Sequence, residues 1–382
     1  MGSDQRESGM NFPVYPSVGV EEEFLLVDPA TGQPQMRNAE VVSTATELGV
    51  PLQLELSQCQ VETNSPVCWD SQGLRRHLLA MRATAADAAA RNGSRLLAAG
   101  TPPLGPSRMP VSDSERYRRM ARRFGTLALE QGICGCHVHV DVHDRETGVQ
   151  VCNHVRSWLP ALLALSANSP LHRGADSGYS SWRTILWSRW PVSGPPPLFA
   201  SAERYDSFVA MLVDSGSLLD ERMIYWDIRP SSHLPTVEVR VGDVMPTVDQ
   251  TVLLATLVRA LVMTATRSVE RGDMPPDVGL ETLRVANWIA ARDGLTGEGL
   301  DPRTSSPVPY ARQLELLLDH VHDALDELGE FPWVESALKH QLAHGNGAVW
   351  QRRRLASSHS VEEVVRSATE RTLLSCGPQP AT

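Results

Sequence analysis

Alternating apolar and polar positions mark several short segments as strands with one buried face, since successive strand side chains point to opposite sides. Residues 18–27 form the first, ended by the turn residues Asp28, Pro29 and Gly32. Residues 52–63 alternate as well, until Asn64, Ser65 and Pro66 stop the run, and residues 134–142 and 236–241 are further β-type runs. Between them the period changes. Leu74, Leu78, Met81, Ala85 and Ala88 recur at helical spacing, with Asp70 or Ser71 as cap and Asn92-Gly93 as stop. Asp249 and Gly272 bracket a helix that is apolar nearly all round, which predicts burial, and residues 251–372 read as mostly helical.

No repeat of 20–50 residues is found. The clearest loop signals, Ser-Gly-Pro-Pro-Pro at 193–197 and Met-Pro-Pro-Asp at 274–277, lack the long composition shift of a linker. The expectation is a single domain over 13–372, with a disordered tail at 1–12 and a flexible tail at 373–382. Strands separated by irregular helices and loops, without a regular βαβ beat, predict an α+β fold with an antiparallel sheet.

Composition narrows the function. The chain has 382 residues, of which 42% are hydrophobic and 21% charged, so it is globular rather than disordered or fibrous. A formal net charge of −10 argues against a nucleic-acid partner. Lys339 is the only lysine, which makes a Schiff-base or phosphate-loop lysine an unlikely device. Residues 1–11 lack the apolar core of a signal peptide. The longest apolar stretch, 251–266, carries Arg259 and falls short of the roughly 18 residues a membrane span needs. Six cysteines are too sparse for a disulfide framework. These features predict a soluble, cytoplasmic protein with no membrane partner.

The strand faces carry the chemistry. Glu21 and Glu23 share one face of the first strand; Val20 and Phe24 share the other with Glu22, which is therefore expected to be structural. His137, His139 and Asp141 oppose two valines, Glu238 and Arg240 oppose three, and Gln60 and Glu62 repeat the pattern. A solvated outer face would explain any one strand. Across several, the set of carboxylates and imidazoles departs from the Thr, Lys and mixed charge of an ordinary surface. Two like charges about 4 Å apart repel by roughly 4 kcal/mol at an effective dielectric of 20. If the strands are neighbours, the cluster needs cations, and hard oxygen donors select Mg²⁺ or Mn²⁺, usually shared with substrate phosphates.

Other patterns are weaker. Cys134-Gly-Cys136-His137 is half of a zinc site without its second half, which Cys152 alone does not supply. His320-Val-His322 lies in a helical run, where residues i and i+2 do not face each other. Gly345-Asn-Gly347 is too short to cradle a phosphate and reads as a turn. Trp182, Trp187 and Trp190 read as packing.

Six motifs in order resemble a known family: Gly19-Val-Glu-Glu-Glu-Phe24, Gln60-Val-Glu-Thr63, Gly100-Thr-Pro102, Cys136-His-Val-His139, the 167–183 stretch from Ala-Asn-Ser-Pro to Gly-Tyr-Ser-Ser-Trp-Arg, and Val237-Glu-Val-Arg-Val-Gly-Asp243. Together, over roughly 15–370, they resemble the type 2 glutamate–cysteine ligases, also called carboxylate–amine ligases. The resemblance implies a glutamine-synthetase-like fold, an antiparallel sheet forming a funnel with helices packed on its outer face. It implies ATP and Mg²⁺ (or Mn²⁺) as cofactors and amino acids as small-molecule substrates. Glu21, Glu23, Glu55, Glu62, His137 and Glu238 match the metal-binding positions of the wider superfamily, with His139 as neighbour or substitute. Glu238 and Arg240 fall on catalytic positions, Arg240 also serving phosphate or substrate, and Arg183 on a substrate-carboxylate position. Arg229 is a further candidate, with a structural ion pair as the plain alternative for both Arg183 and Arg229.

The implied reaction joins glutamate to cysteine or another amine through an acyl phosphate, giving a γ-glutamyl amide. The competing readings are a metal-dependent hydrolase, a guanidino-type phosphotransferase, whose reactive cysteine finds no clear match here, and a non-catalytic relative. The apolar helical C-terminal third could supply a homodimer surface.

Overall fold

The computed structural model describes residues 15–374. The tail expected at 1–12, and all but Leu373 and Leu374 of the tail expected at 373–382, lie outside that range. The alternating segments form one antiparallel sheet of seven strands. They are β1 (Val18–Val27), β2 (Gln53–Leu54), β3 (Gln60–Asn64), β4 (Arg95–Leu97), β5 (Gly135–Asp141), β6 (Ile228–Pro230) and β7 (Thr236–Asp243). The order across the sheet is β6-β7-β5-β1-β3-β2, and β4 pairs with the end of β1 beyond β3.

One face of the sheet is packed with helices. Val20, Val138, Val140, Val237 and Val239 join a core with α1 (Ser71–Arg91), α2 (Arg145–Val155), α3 (Leu159–Ser166) and α4 (Val248–Glu270). Each such side chain, fully buried, contributes roughly 1.5–3 kcal/mol. Asp70 is the cap of α1, accepting from the Gly73 N–H at 2.5 Å. Glu22 is fully buried on this face, as its parity requires, and meets Arg82 of α1 at 2.5 Å and Thr251 of α4 at 2.7 Å. This is the glutamine-synthetase-like arrangement, an antiparallel sheet with helices on one side.

The run at 52–63 is a hairpin rather than one strand. Gln53 pairs with Glu62 and Leu54 with Val61. Backbone groups between the two strands are drawn to other parts of the chain: Leu56 O accepts from Ser112, Gln58 N–H donates to Pro110, and Cys59 O accepts from Leu26. The turn coincides with a parity shift, from Leu52, Leu54 and Leu56 to Cys59 and Val61 across Ser57 and Gln58.

Strand β7 departs from simple register against β5. Val239 pairs with Val138 but Gly242 pairs with Cys136, so Arg240 and Val241 together oppose His137. This β-bulge switches parity and puts Asp243 on the same face as Arg240. There Asp243 accepts from the Asn168 N–H (2.8 Å), Ser169 Oγ (2.7 Å) and Ser181 Oγ (2.8 Å), tying the 167–183 segment to the sheet.

Helix α4, at 23 residues, is long and apolar enough to cross a membrane by length and composition, more than the stretch read from sequence. Its most apolar window is 72% buried inside the protein. Leu314, Leu317, Val321, Leu325, Val334 and Leu338 pack into the same core, so these apolar positions of the C-terminal third face inward.

Candidate active site

The face of the sheet opposite α1–α4 gathers the charged residues. Register sets Glu21 beside His137, Glu23 beside Glu62, and Glu238 beside His139. His137 Nδ1 lies 3.1 Å from Glu21 and His139 Nε2 lies 3.3 Å from it. His137 also stands 3.9 Å from both Glu23 and Glu238. Two groups of oxygen and nitrogen donors result, Glu21–His139–Glu238 and Glu23–Glu55–Glu62, each with one donor atom per residue within 4.8 Å of the others. Glu55 joins the second group because the hairpin turn folds it back toward Glu62.

The electrostatics differ between the two groups. Burial opposes the charge of Glu21, yet hydrogen bonds with His137 and His139 outweigh it and hold its carboxyl far below the usual range. Burial likewise opposes the charge of Glu238, but Arg240 and Arg229 overcome it and hold the carboxyl well down. The second group lacks such partners. Burial, then the charges of Glu55 and Glu21, push Glu62 well up; burial and Glu55 raise Glu23, against His137, Arg183 and the Gly135 N–H at 2.6 Å. Burial and Arg240 push the His137 imidazole down. Despite burial, the Glu21 hydrogen bond and Glu238 raise His139. His139 Nδ1 is 3.0 Å from Thr236 Oγ1, while its buried Nε2 has Glu21 as its near neighbour at 3.3 Å.

Three arginines border this face. Arg240 is ion-paired with Glu238 through Nη1, and Arg229 Nε donates to the other Glu238 oxygen at 2.7 Å. Arg229 Nη1 also donates to the Ile224 carbonyl at 2.6 Å, so Arg229 serves the framework as well as Glu238. Arg183, on the helix Trp182–Trp187, donates to the carbonyls of Arg240 (3.2 Å) and Val241 (3.4 Å), and its buried Nε is unpartnered. Gly135 is required beneath it: a Cβ there would lie 2.4 Å from Arg183 Nη2.

Most of these residues line a cavity of about 410 Å³; Glu238 and His139 lie outside its lining. Glu21, Glu23, Glu55, Glu62, His137, Arg183, Arg229 and Arg240 all reach it. Its walls add residues that the sequence reading missed, among them Arg116, Tyr117, Gln131 and Tyr225. Arg116 and Tyr117 come from the helix Glu115–Phe124, Tyr225 from the two-residue strand Tyr225–Trp226 and Gln131 from a loop. Trp187 and Trp190 also line it, beyond a packing role, whereas Trp182 does not.

The weaker patterns resolve elsewhere. Cys134 and Cys136 point into the cores, their thiols pushed well up by burial, and His137 points the other way. His320 stacks on Trp158 at 5.0 Å. Asn346 caps the helix Gly347–Ser358, accepting from Val349 N–H at 3.1 Å, so this glycine pair marks a turn and helix start.

The model of glutamate–cysteine ligase family 2 (GCS2) matches residues 17–371. The chain belongs to that family. A relative from Nocardia farcinica, named "Putative glutamate--cysteine ligase 2-1", is 53% identical over 366 residues, covering 96% of each chain. One from Mycolicibacterium smegmatis, named "Putative glutamate--cysteine ligase 2-3", is 50% identical, covering 94% of this chain and 98% of that one. Among solved structures, the fold is shared with a glutamate–cysteine ligase from Francisella tularensis in complex with AMP (TM-score 0.70, 14% identity, 94% of this chain and 88% of that one). It is also shared with a bifunctional glutathione synthetase from Pasteurella multocida (TM-score 0.71, 15% identity), of which this family member spans 52%.

Proposed function

We propose that this protein is an ATP-dependent carboxylate–amine ligase that joins the side-chain carboxyl of glutamate to an amine, with cysteine as the default acceptor. The observation that carries the reading is the pair of donor groups on one face of the sheet, four of whose six residues line one cavity, in a chain of this family. A carboxylate is a poor electrophile because its oxygen leaves badly. Phosphorylation by ATP gives an acyl phosphate, which an amine attacks with loss of phosphate.

The donor chemistry fits hard divalent cations. Glu23, Glu55 and Glu62 crowd together, and the first group offers two carboxylates with an imidazole nitrogen 3.3 Å from one of them. Glu21, His139 and Glu238 would hold one ion and Glu23, Glu55 and Glu62 another. His139 is preferred over His137 as ligand: Thr236 can accept from Nδ1–H, which leaves the lone pair of Nε2 free. His137 then stands between the groups and orients Glu21. Bound there, Mg²⁺ or Mn²⁺ would neutralise charge on the phosphates of ATP.

The chain's own residues do the rest. Arg240 supplies a cation that cannot lose its proton and is held in place by Glu238. The unpartnered Nε of Arg183 is its donor for a substrate carboxylate. We place this activity in one catalytic domain over 13–372. No observation favours the hydrolase or phosphotransferase alternatives, and among the described residues no cysteine lines the cavity.

The test is ADP release with Mg²⁺, ATP and glutamate, screened against cysteine and a panel of amines. Amine-dependent ADP with a matching amide product is the expected outcome; no ADP with any pair would overturn the reading.

A further inference from the structure

Behind the wall formed by Trp187 and Trp190 lies a second cavity of about 330 Å³, which shares those two residues with the first. Its walls include Ile185, Pro191 and Trp288, with the hydroxyls of Thr184, Ser188 and Ser193 and the exposed Arg284, which is ion-paired with Glu281 at 3.1 Å. Two of its polar side chains, Asp227 and Asn287, are nearly buried, each 5% exposed. Asn287 Nδ2 donates to Asp227 Oδ2 at 2.6 Å, and the buried Asn287 Oδ1 has no partner. Among the described residues, Asp227 forms no ion pair; Arg183 and Arg240 act on it only from a distance, and burial dominates, raising its carboxyl to about 7. A buried carboxylate without a cation, beside an amide oxygen without a donor, is costly unless something else satisfies both.

We propose that this cavity binds the ammonium group of an organic amine with an apolar or aromatic body. Asp227 supplies the counter-charge and Asn287 Oδ1 a further acceptor. The ring faces of Trp187, Trp190 and Trp288 pack against the body and add cation–π attraction. The nearly buried acceptors, Asp227 and Asn287 Oδ1, favour a cation over an anion, and Arg284, the lining cation, is already paired with Glu281.

The site touches the catalytic cavity through more than the tryptophan wall. The carbonyl of Asp227 accepts from the Arg240 N–H at 2.8 Å, so occupancy at Asp227 bears directly on the strand that carries Glu238 and Arg240. That the bound amine is the ligase's acceptor rests on the ligase reading; that an amine binds here does not.

The probe is phenethylamine, titrated calorimetrically into the full chain without ATP, beside 3-phenylpropionate, which has a similar body and the opposite charge. The expected result is saturable binding of the amine, none of the acid, and at least a roughly tenfold weakening in Asp227→Asn. Should that variant fail to fold, Trp288→Ala, at a side chain 43% exposed, is expected to weaken binding as well. No binding of phenethylamine, equal binding of the acid, or affinity unchanged in both variants overturns the proposal. The two readings fail separately. ADP release with glutamate and cysteine but no phenethylamine binding removes this inference alone. Phenethylamine binding without ADP release for any pair keeps it and removes the ligase.

Discussion

Glu22 and Arg82 are joined at 2.5 Å behind the central sheet, one residue along the chain from Glu21, which faces the cavity. Adjacent glutamates thus serve opposite ends: Glu22 fastens β1 to α1, and Glu21 stands among histidines. Arg82→Leu leaves a buried charge without its partner and is expected to cost about 3–5 kcal/mol, read by urea unfolding. Glu21→Gln and Glu238→Gln are expected to abolish turnover while leaving the fold intact, read by circular dichroism beside the ADP assay. Near-normal activity in either would remove that residue from the metal site.

Thr236→Val is expected to loosen His139 without touching any carboxylate. With the Nδ1 partner gone, affinity for Mn²⁺ should fall roughly ten- to hundredfold, and Thr236→Ser should restore it. Equal affinities in all three proteins would mean that His139 is not oriented this way.

Much of this was legible from alternation. The parity of Glu21, Glu23, His137, His139, Glu238 and Arg240 put them on one face, and the valines between them marked the other. Three things were not. The turn at 55–59 shows only as a parity shift at Ser57 and Gln58, because the backbone partners that fix it, Pro110 and Ser112, lie far along the chain. The bulge at Arg240 and Val241 is a matter of pairing, so the site-face position of Asp243 could not be counted from sequence. Tyr225 and Asp227 come from segments without a period, Tyr117 from a helix whose period does not say what it packs on, and only tertiary packing brings them to the cavities.

Asp227 has a consequence for stability against pH. Its folded-state value of about 7 lies above the ordinary 3.8, so the native state holds a proton that the unfolded chain releases between those values. Stability from this group is therefore full at acid pH and is lost as pH rises through about 7. Asp227→Asn should abolish that loss: relative to wild type its stability should improve with rising pH, by up to roughly 4 kcal/mol if the whole shift counts. Denaturant titrations of both proteins across this range check it; parallel curves would mean that Asp227 is not held protonated.

Gly135→Ala is expected to act chiefly on Arg183, with His137 Nε2, 3.0 Å from the added Cβ, also in contact. The added Cβ would fall 2.4 Å from Nη2 and force the guanidinium off the carbonyls of Arg240 and Val241. The Michaelis constant for the carboxylate substrate should rise at least roughly tenfold, the loss of one charge-assisted contact, while that for ATP changes little. A rise confined to ATP would reassign Arg183 to the nucleotide.

The central claim is that the acidic face of the sheet holds divalent cations in two groups. Mn²⁺ binding in the presence of ATP, followed by electron paramagnetic resonance, tests it on wild type, Glu21→Gln and Glu62→Gln. The account predicts that wild type binds Mn²⁺ at both groups and that each variant loses binding at its own group while retaining the other. Binding in both variants indistinguishable from wild type would contradict it.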